Sequence, residues 1–176
     1  MIYGNGIRLR AIEKSDIPIF VRRLNDPETR QFLLLYTPLS TMDEERWVES
    51  LANRKSEYIY AFEALIDEQW VHLGNTGLHD IDWKNSVATF GIFLGEKQYW
   101  GQGYGTEATR TMLHFAFHTL NLHRVELEVF EFNPRAIRAY EKAGFRHEGT
   151  RRQSFFKDKR YWDTLRMGIL EDEFEG

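Results

Sequence analysis

The sequence predicts an α/β protein: a twisted mixed sheet, mostly antiparallel, with helices on both faces. Three features of the 176 residues carry that expectation. Period-2 runs follow one another across short polar turns in the middle of the chain, the mark of an antiparallel meander. Runs with helical spacing stand before the meander and then alternate with strands after it. A strand that returns after a helix needs a crossover, so one part of the sheet is parallel.

In chain order, Ile7, Leu9 and Ala11 alternate with Arg8, Arg10 and Ile12 and read as a first strand. Ser15 is placed to cap a helix whose apolar face is Ile17, Phe20, Val21 and Leu24. A second helix is expected over 41–55, capped by Thr41 and burying Trp47, Val48 and Leu51. The meander comprises 58–66, 70–81 and 86–94, turning at Asp67-Glu68-Gln69 and Asp82-Trp83-Lys84-Asn85. A helix over 104–119 follows, with Ala108, Met112, Phe115, Ala116 and Leu120 at helical spacing. Val125, Leu127 and Val129 mark a strand and 134–143 a short helix. A closing hairpin of 146–156 and 161–170 surrounds Lys157-Asp158-Lys159. No repeat or linker divides the chain, so a single domain over 1–176 is expected.

Apolar residues at 42% and aromatics at 15% supply a core. A net charge of -4 offers no footprint for nucleic acid or an anionic membrane. No apolar run approaches the roughly 18 residues of a membrane span. The absence of cysteine excludes disulfides, thiolate metal sites and a cysteine nucleophile. The opening residues lack the order of a signal peptide, and a cytoplasmic location is expected. Charge is uneven: 43–68 holds eight acids against three bases, and 146–160 six bases against two acids. The two stretches read as solvated faces, or else as an acidic flank for a cationic substrate and a basic flank nearer an anionic cofactor.

The most specific segment is Gln98-Tyr99-Trp100-Gly101-Gln102-Gly103-Tyr104-Gly105-Thr106-Glu107-Ala108, a glycine-punctuated loop running into a helix. Glycines on alternate positions strip side chains from the backbone, and the helix adds free amides and the positive end of its dipole. Such a turn binds phosphate oxygens. Thr106 stands where a dinucleotide-binding fingerprint needs glycine or alanine, and the Gly-Lys-Ser/Thr ending of a nucleotide P-loop is missing. Gln98, three residues before Gly101, completes a Gln-x-x-Gly-x-Gly pattern.

With that pattern the chain resembles the GNAT family of N-acetyltransferases, nearest the branch of ribosomal-protein N-terminal and spermidine acetyltransferases. Two further stretches agree: Asn133-Pro-Arg-Ala-Ile-Arg-Ala-Tyr-Glu-Lys-Ala-Gly-Phe145 with Glu148-Gly149, and the ending Tyr161-Trp-Asp-Thr-Leu-Arg-Met-Gly-Ile-Leu170. The resemblance covers essentially the whole chain. It implies a sheet splayed into a V between the strand ending at Leu94 and that at 125–129. It implies acetyl-CoA as donor, with the pyrophosphate on the amides of Gln102, Gly103, Gly105 and Thr106. The remainder of the turn is Gln98, Gly101 and Tyr104. Backbone groups of Phe93 and Leu94 then pair with the pantetheine arm as an added strand does, and Asn133 contacts the cofactor. The acceptor is a primary amine, on a small cationic molecule or polyamine or at a protein N-terminus. The branch also implies a homodimer. A non-catalytic acyl-CoA binding module is the rival reading.

Attack on the thioester requires a neutral amine, and a lysine-like amine of pKa about 10.4 is neutral only about once in two thousand molecules at pH 7. A base therefore matters, as does a proton for the departing thiolate. Tyr140, at the family's tyrosine position, is the expected acid, since a phenol of pKa about 10 lies close to a thiol near 8.5. Asn133, before Pro134, is also an N-cap. Lys142 or Arg138 are open to a CoA phosphate or to solvent. Many relatives carry a glutamate where this chain has Phe90, which leaves His79, Glu128, a relayed water or an already neutral amine for the base. His114 and His118, one turn apart, lack the further ligands of a metal site.

Overall fold

The computed structural model describes residues 1–176. Eight strands form one sheet: β1 Ile2–Tyr3, β2 Ile7–Arg10, β3 Tyr58–Ile66, β4 Gln69–Asp82, β5 Val87–Leu94, β6 Arg124–Phe130, β7 Arg146–Lys157 and β8 Arg160–Leu170. Their order is β1-β2-β3-β4-β5-β6-β8-β7, and every neighbouring pair is antiparallel except β5 and β6. The helices are α1 Ile17–Leu24, α2 Pro27–Arg30, α3 Thr41–Leu51, α4 Tyr104–His114 and α5 Pro134–Lys142. The mixed α/β fold read from the pattern is the fold observed. No helix is long and apolar enough to cross a membrane.

Alternation decides the two faces of the sheet. Ile7 and Leu9 pair with Ala64 and Phe62, all four fully buried, and Leu73, Leu78, Met112 and Leu113 join them beneath α4. On the other face α1 and α3 meet, with Phe20 packed edge-on against Trp47 and tilted against His72. Several boundaries differ from the sequence reading. Ser15 caps nothing: a 3-10 turn over 14–16 precedes α1, capped reciprocally by Glu13 and Asp16. Ser40, not Thr41, caps α3, which stops at Leu51. The helix begun at Tyr104 turns to π geometry over 115–119, which buries Phe115, Ala116 and Phe117 together. Two of the hairpin turns use two residues with positive φ, Asp67-Glu68 and Asp158-Lys159, so Gln69 and Lys157 belong to strands.

The V is present and has a visible cause. β5 and β6 pair only from Val87 to Thr89, against Arg124 to Glu126. Beyond that, β5 stays with β4 and β6 stays with β8 along its full length. Phe90, where the strands part, is 4% exposed and packs edge-on against Tyr140 of α5, with Phe145 beside it. An aromatic wedge therefore stands where the two strands part.

One buried cation binds α1 to the strand edge. Arg23 donates to Glu96 and to the His72 carbonyl oxygen at 2.8 Å, and its Nη1 lies 2.9 Å from His72 Nδ1. A guanidinium only donates, so Nδ1 accepts and the imidazole is neutral with its proton on Nε2. Burial, then the Arg23 charge, pushes the His72 pKa below its ordinary 6.5. The unfolded chain therefore binds the extra proton, and stability present above about pH 6.5 is lost as pH falls. Thermal melts at pH 7 and 5 should show that loss, and His72→Gln should flatten it.

Candidate active site

Between the arms of the V lies a cleft of about 360 Å³, bounded by β5, the loop after it, β6 and α5. The glycine loop forms one rim. Gly101 and Gly103 have φ of 76° and 93°, which only glycine adopts without strain, and Gly103 is the N-cap of α4. Gly105 is helical, and a Cβ there would touch only Leu94 at 4.0 Å, so its backbone shape does not demand glycine. The amides from Gly101 through Thr106 donate to no backbone carbonyl; the first internal bond runs from Glu107 to Gly103 at 3.1 Å. Six free donors thus lie together at a helix terminus. Gln98, Gln102 and Tyr104 keep their side chains out of the cleft lining. Gln102 Nε2 donates to the Gln98 carbonyl at 2.6 Å, bracing the turn, and Tyr104 packs edge-on against Tyr99.

The opposite rim is α5. Asn133 caps it by accepting from the Ala136 amide at 3.2 Å, and Asn133 also borders the cleft. Arg135, Arg138 and Lys142 share one stripe of the helix, border the cleft, and have no carboxylate within ion-pair distance. Arg135 lies over Trp100, its guanidinium carbon 3.7 Å from the ring centre, and burial lowers its pKa from the usual guanidinium range. The sequence reading passed over Arg135. The spacing of the three cations was the signal that could have found it.

Strand parity corrects one expectation. Ser86 carbonyl accepts from the His123 and Arg124 amides, so even-numbered residues of β5 turn their backbone toward β6. The Gly95 amide donates to Leu73, and a Cβ on Gly74 would run into the Phe93 carbonyl oxygen, so odd-numbered residues face β4. Phe93 therefore borders the cleft without offering its backbone to it; Ile92 and Leu94 do. The Leu94 carbonyl already accepts from Trp100 Nε1 at 2.9 Å.

Tyr140 projects from α5 into the base of the V and is 8% exposed. Phe90 and Phe145 meet its ring edge-on, and its hydroxyl makes no hydrogen bond within the chain. Burial pushes its pKa up to about 12, not the ordinary phenol value expected from sequence.

A second cleft, about 570 Å³, lies on the α3 face of the sheet and meets the first where the strands part, at Gly91–Phe93 and at Glu128 and Phe130. Tyr36, Trp47 and Phe155 give it aromatic walls. Glu128 stands in it between Arg151 and Arg166, each nitrogen 3.1 Å away. The acidic stretch 43–68 does not form an open anionic flank: Glu49 meets Lys14, Glu57 meets Arg54, Glu63 meets Arg8 and Arg10, and Glu44 is buried. His114 and His118 pack against each other, ring centres 4.5 Å apart, outside both clefts.

A family model described as an acetyltransferase (GNAT) domain matches residues 7–146. A Bacillus subtilis protein, the SPbeta prophage-derived uncharacterized N-acetyltransferase YokL, is 34% identical over 98% of this chain and 94% of its own. The spermidine N(1)-acetyltransferase of Vibrio cholerae is 30% identical over 96% of this chain and 95% of its own. A crystal structure of the Vibrio cholerae spermidine N-acetyltransferase with CoA and spermine superposes with a TM-score of 0.87 at 26% identity, covering 97% and 99% of the two chains. A further structure of that protein is described as dodecameric.

Proposed function

This chain belongs to the GNAT acetyltransferase family, and from that membership we propose how its two clefts divide the transfer of an acetyl group from acetyl-CoA to a primary amine. The pyrophosphate of the donor lies on the amides of Gly101 through Thr106. Arg135, Arg138 and Lys142 supply positive charge across from it, and Asn133 borders the path. The pantetheine arm runs down the V along the backbone of Ile92 and Leu94 and brings the thioester to the base, beside Tyr140. The acceptor enters from the opposite face and attacks directly, without an acyl-enzyme. The observation that carries this division is the junction: the two clefts share a wall where β5 and β6 part, at Gly91–Phe93, Glu128 and Phe130, together with Phe32 and Leu33 from the segment after α2.

The acceptor is a small cationic amine with an extended apolar body, of which a polyamine is the model. Aromatic walls suit methylene groups and an ammonium head, and the relatives that act on spermidine support the same class. The setting in this reading is a cytoplasmic homo-oligomer, for which exposed Leu34, Tyr36 and Met42 supply apolar surface; light scattering measures the copy number. Thiol release from acetyl-CoA across polyamines, aminoglycosides, amino acids and N-terminal peptides tests the function. Turnover with a polyamine is expected. CoA binding with silence across the panel would favour the non-catalytic rival.

The loop has its own test. Alanine at Gly103 forces a left-handed backbone that costs roughly 1–2 kcal/mol or moves the amides. Gly103→Ala should weaken CoA binding by about tenfold in calorimetric titration, and equal affinity would remove this turn from the donor site.

A further inference from the structure

The acceptor cleft has a bare floor. Gly77 of β4 stands opposite Gly91 of β5, flanked by Asn75 opposite Phe93 and by His79 opposite Thr89. His79 closes one end of this trough. Its Nε2 hangs over Gly91, where a Cβ would stand 3.3 Å away, and has no hydrogen-bond partner in the chain. Its Nδ1 faces Glu57 Oε2 at 3.8 Å, and that same oxygen accepts from Arg54 Nη1 at 2.6 Å. Arg54 is fixed in turn by Ser50 Oγ at 2.9 Å.

A carboxylate behind one ring nitrogen and an open cleft before the other is the arrangement that lets an imidazole receive a proton. At 3.8 Å Glu57 is too far for a hydrogen bond, and its carboxylate steers the ring through charge. The other charged groups bordering the cleft are Arg54, Glu128 and Arg151. The two arginines cannot accept a proton, and Glu128 is held by two guanidiniums. Phe90 turns its side chain to the opposite face.

We infer that His79 is the catalytic base of the acetyl transfer, taking the acceptor ammonium's proton on Nε2 above Gly91. This rests on the acetyltransferase reading. The first nitrogen proton passes to Nε2 and on to solvent at the open cleft. The freed lone pair forms the C–N bond at the thioester carbonyl carbon, and the C–S pair leaves with sulfur. The nitrogen's second proton restores the thiol.

His79→Gln is tested with acetyl-CoA and spermine as the probe amine, following thiol release from pH 6.5 to 10. At pH 7 kcat should fall about 100-fold or more, with CoA affinity unchanged. The deficit should shrink about tenfold per pH unit as solvent deprotonates the amine instead. Glu57→Gln, which leaves the imidazole in place, should give a smaller loss with the same pH dependence. Wild-type kcat in H79Q, or a deficit in both variants that stays constant with pH, overturns the assignment while leaving the acetyltransferase reading intact. No turnover by the wild-type protein on spermine or any amine of the panel overturns both.

Discussion

Tyr140→Phe should lower kcat by roughly 100-fold or more while leaving CoA affinity and melting temperature close to wild type. The expectation of unchanged stability comes from packing. The ring keeps its edge-on contacts to Phe90 and Phe145, and the hydroxyl has no intramolecular partner to orphan. The expected kinetic loss comes from where Tyr140 sits, lining the V where the thioester sulfur would arrive. With its pKa pushed up to about 12 by burial, the phenol stays protonated throughout the working range. Full transfer to a thiol of ordinary pKa is uphill by about 3.5 pH units, or ~5 kcal/mol. Burial makes the departing thiolate more basic as well, so the hydroxyl serves first as a hydrogen-bond donor to sulfur as charge builds there. The deficit of Tyr140→Phe should therefore be flat from pH 6.5 to 10, in contrast to His79→Gln. A wild-type kcat would remove Tyr140 from the chemistry.

What could be read from the sequence was whatever the backbone or a local pattern dictates. Gly101 and Gly103 announce a turn because only glycine takes their conformations cheaply, and Asn133-Pro134 announces a helix start because its side chain caps the free amide at Ala136. The period-2 runs set the strands, and the short β5–β6 pairing follows the family order. What could not be read depends on partners distant along the chain. Glu63 counts as an acid in an acidic stretch until Arg8 and Arg10, more than fifty residues away, neutralise it. Phe93 and Leu94 are neighbours, yet strand parity sends their backbones opposite ways, and parity becomes visible only when Ser86 and Gly95 show their partners. The turns at Asp67-Glu68 and Asp158-Lys159 take positive φ with no glycine to signal it. The short helix α2 is absent from the sequence reading although Asp26-Pro27 is a start signal, with Asp26 accepting from the Glu28 and Thr29 amides.

The same distant pairing makes Glu63→Ala the substitution with the largest expected cost to stability. Glu63 is 6% exposed and accepts from Arg8 Nε at 2.5 Å and Arg10 Nε at 2.7 Å. Arg10 continues to both oxygens of Asp16 at 2.7 and 2.8 Å, and Asp16 accepts from the Glu13 amide at the entry to α1. One chain of charges thus ties β2 and β3 to the first helix. Removing a buried partner costs about 3–5 kcal/mol when its mate is stranded. Here Arg10 keeps Asp16 and Arg8 keeps the face of Trp70, 4.5 Å from its centre, which points to roughly 2–3 kcal/mol and a fall in melting temperature of about 4–12 °C. Burial opposes the charge on Glu63 and Asp16, yet hydrogen bonds from Arg10, and from Arg8 to Glu63, outweigh it and hold both carboxyls below their ordinary range. The unfolded chain then binds protons first on acidification, so this stability is present above about pH 4.5 and is lost as pH falls through the lower folded values. Urea melts at pH 7 and pH 4 should show wild type losing more than Glu63→Gln between the two, because the amide has no proton to gain. Since Glu63 borders neither cleft, kcat of the folded variants should hold. Equal melts for Glu63→Ala and wild type at pH 7 would mean that solvent replaces the carboxylate at both arginines without cost.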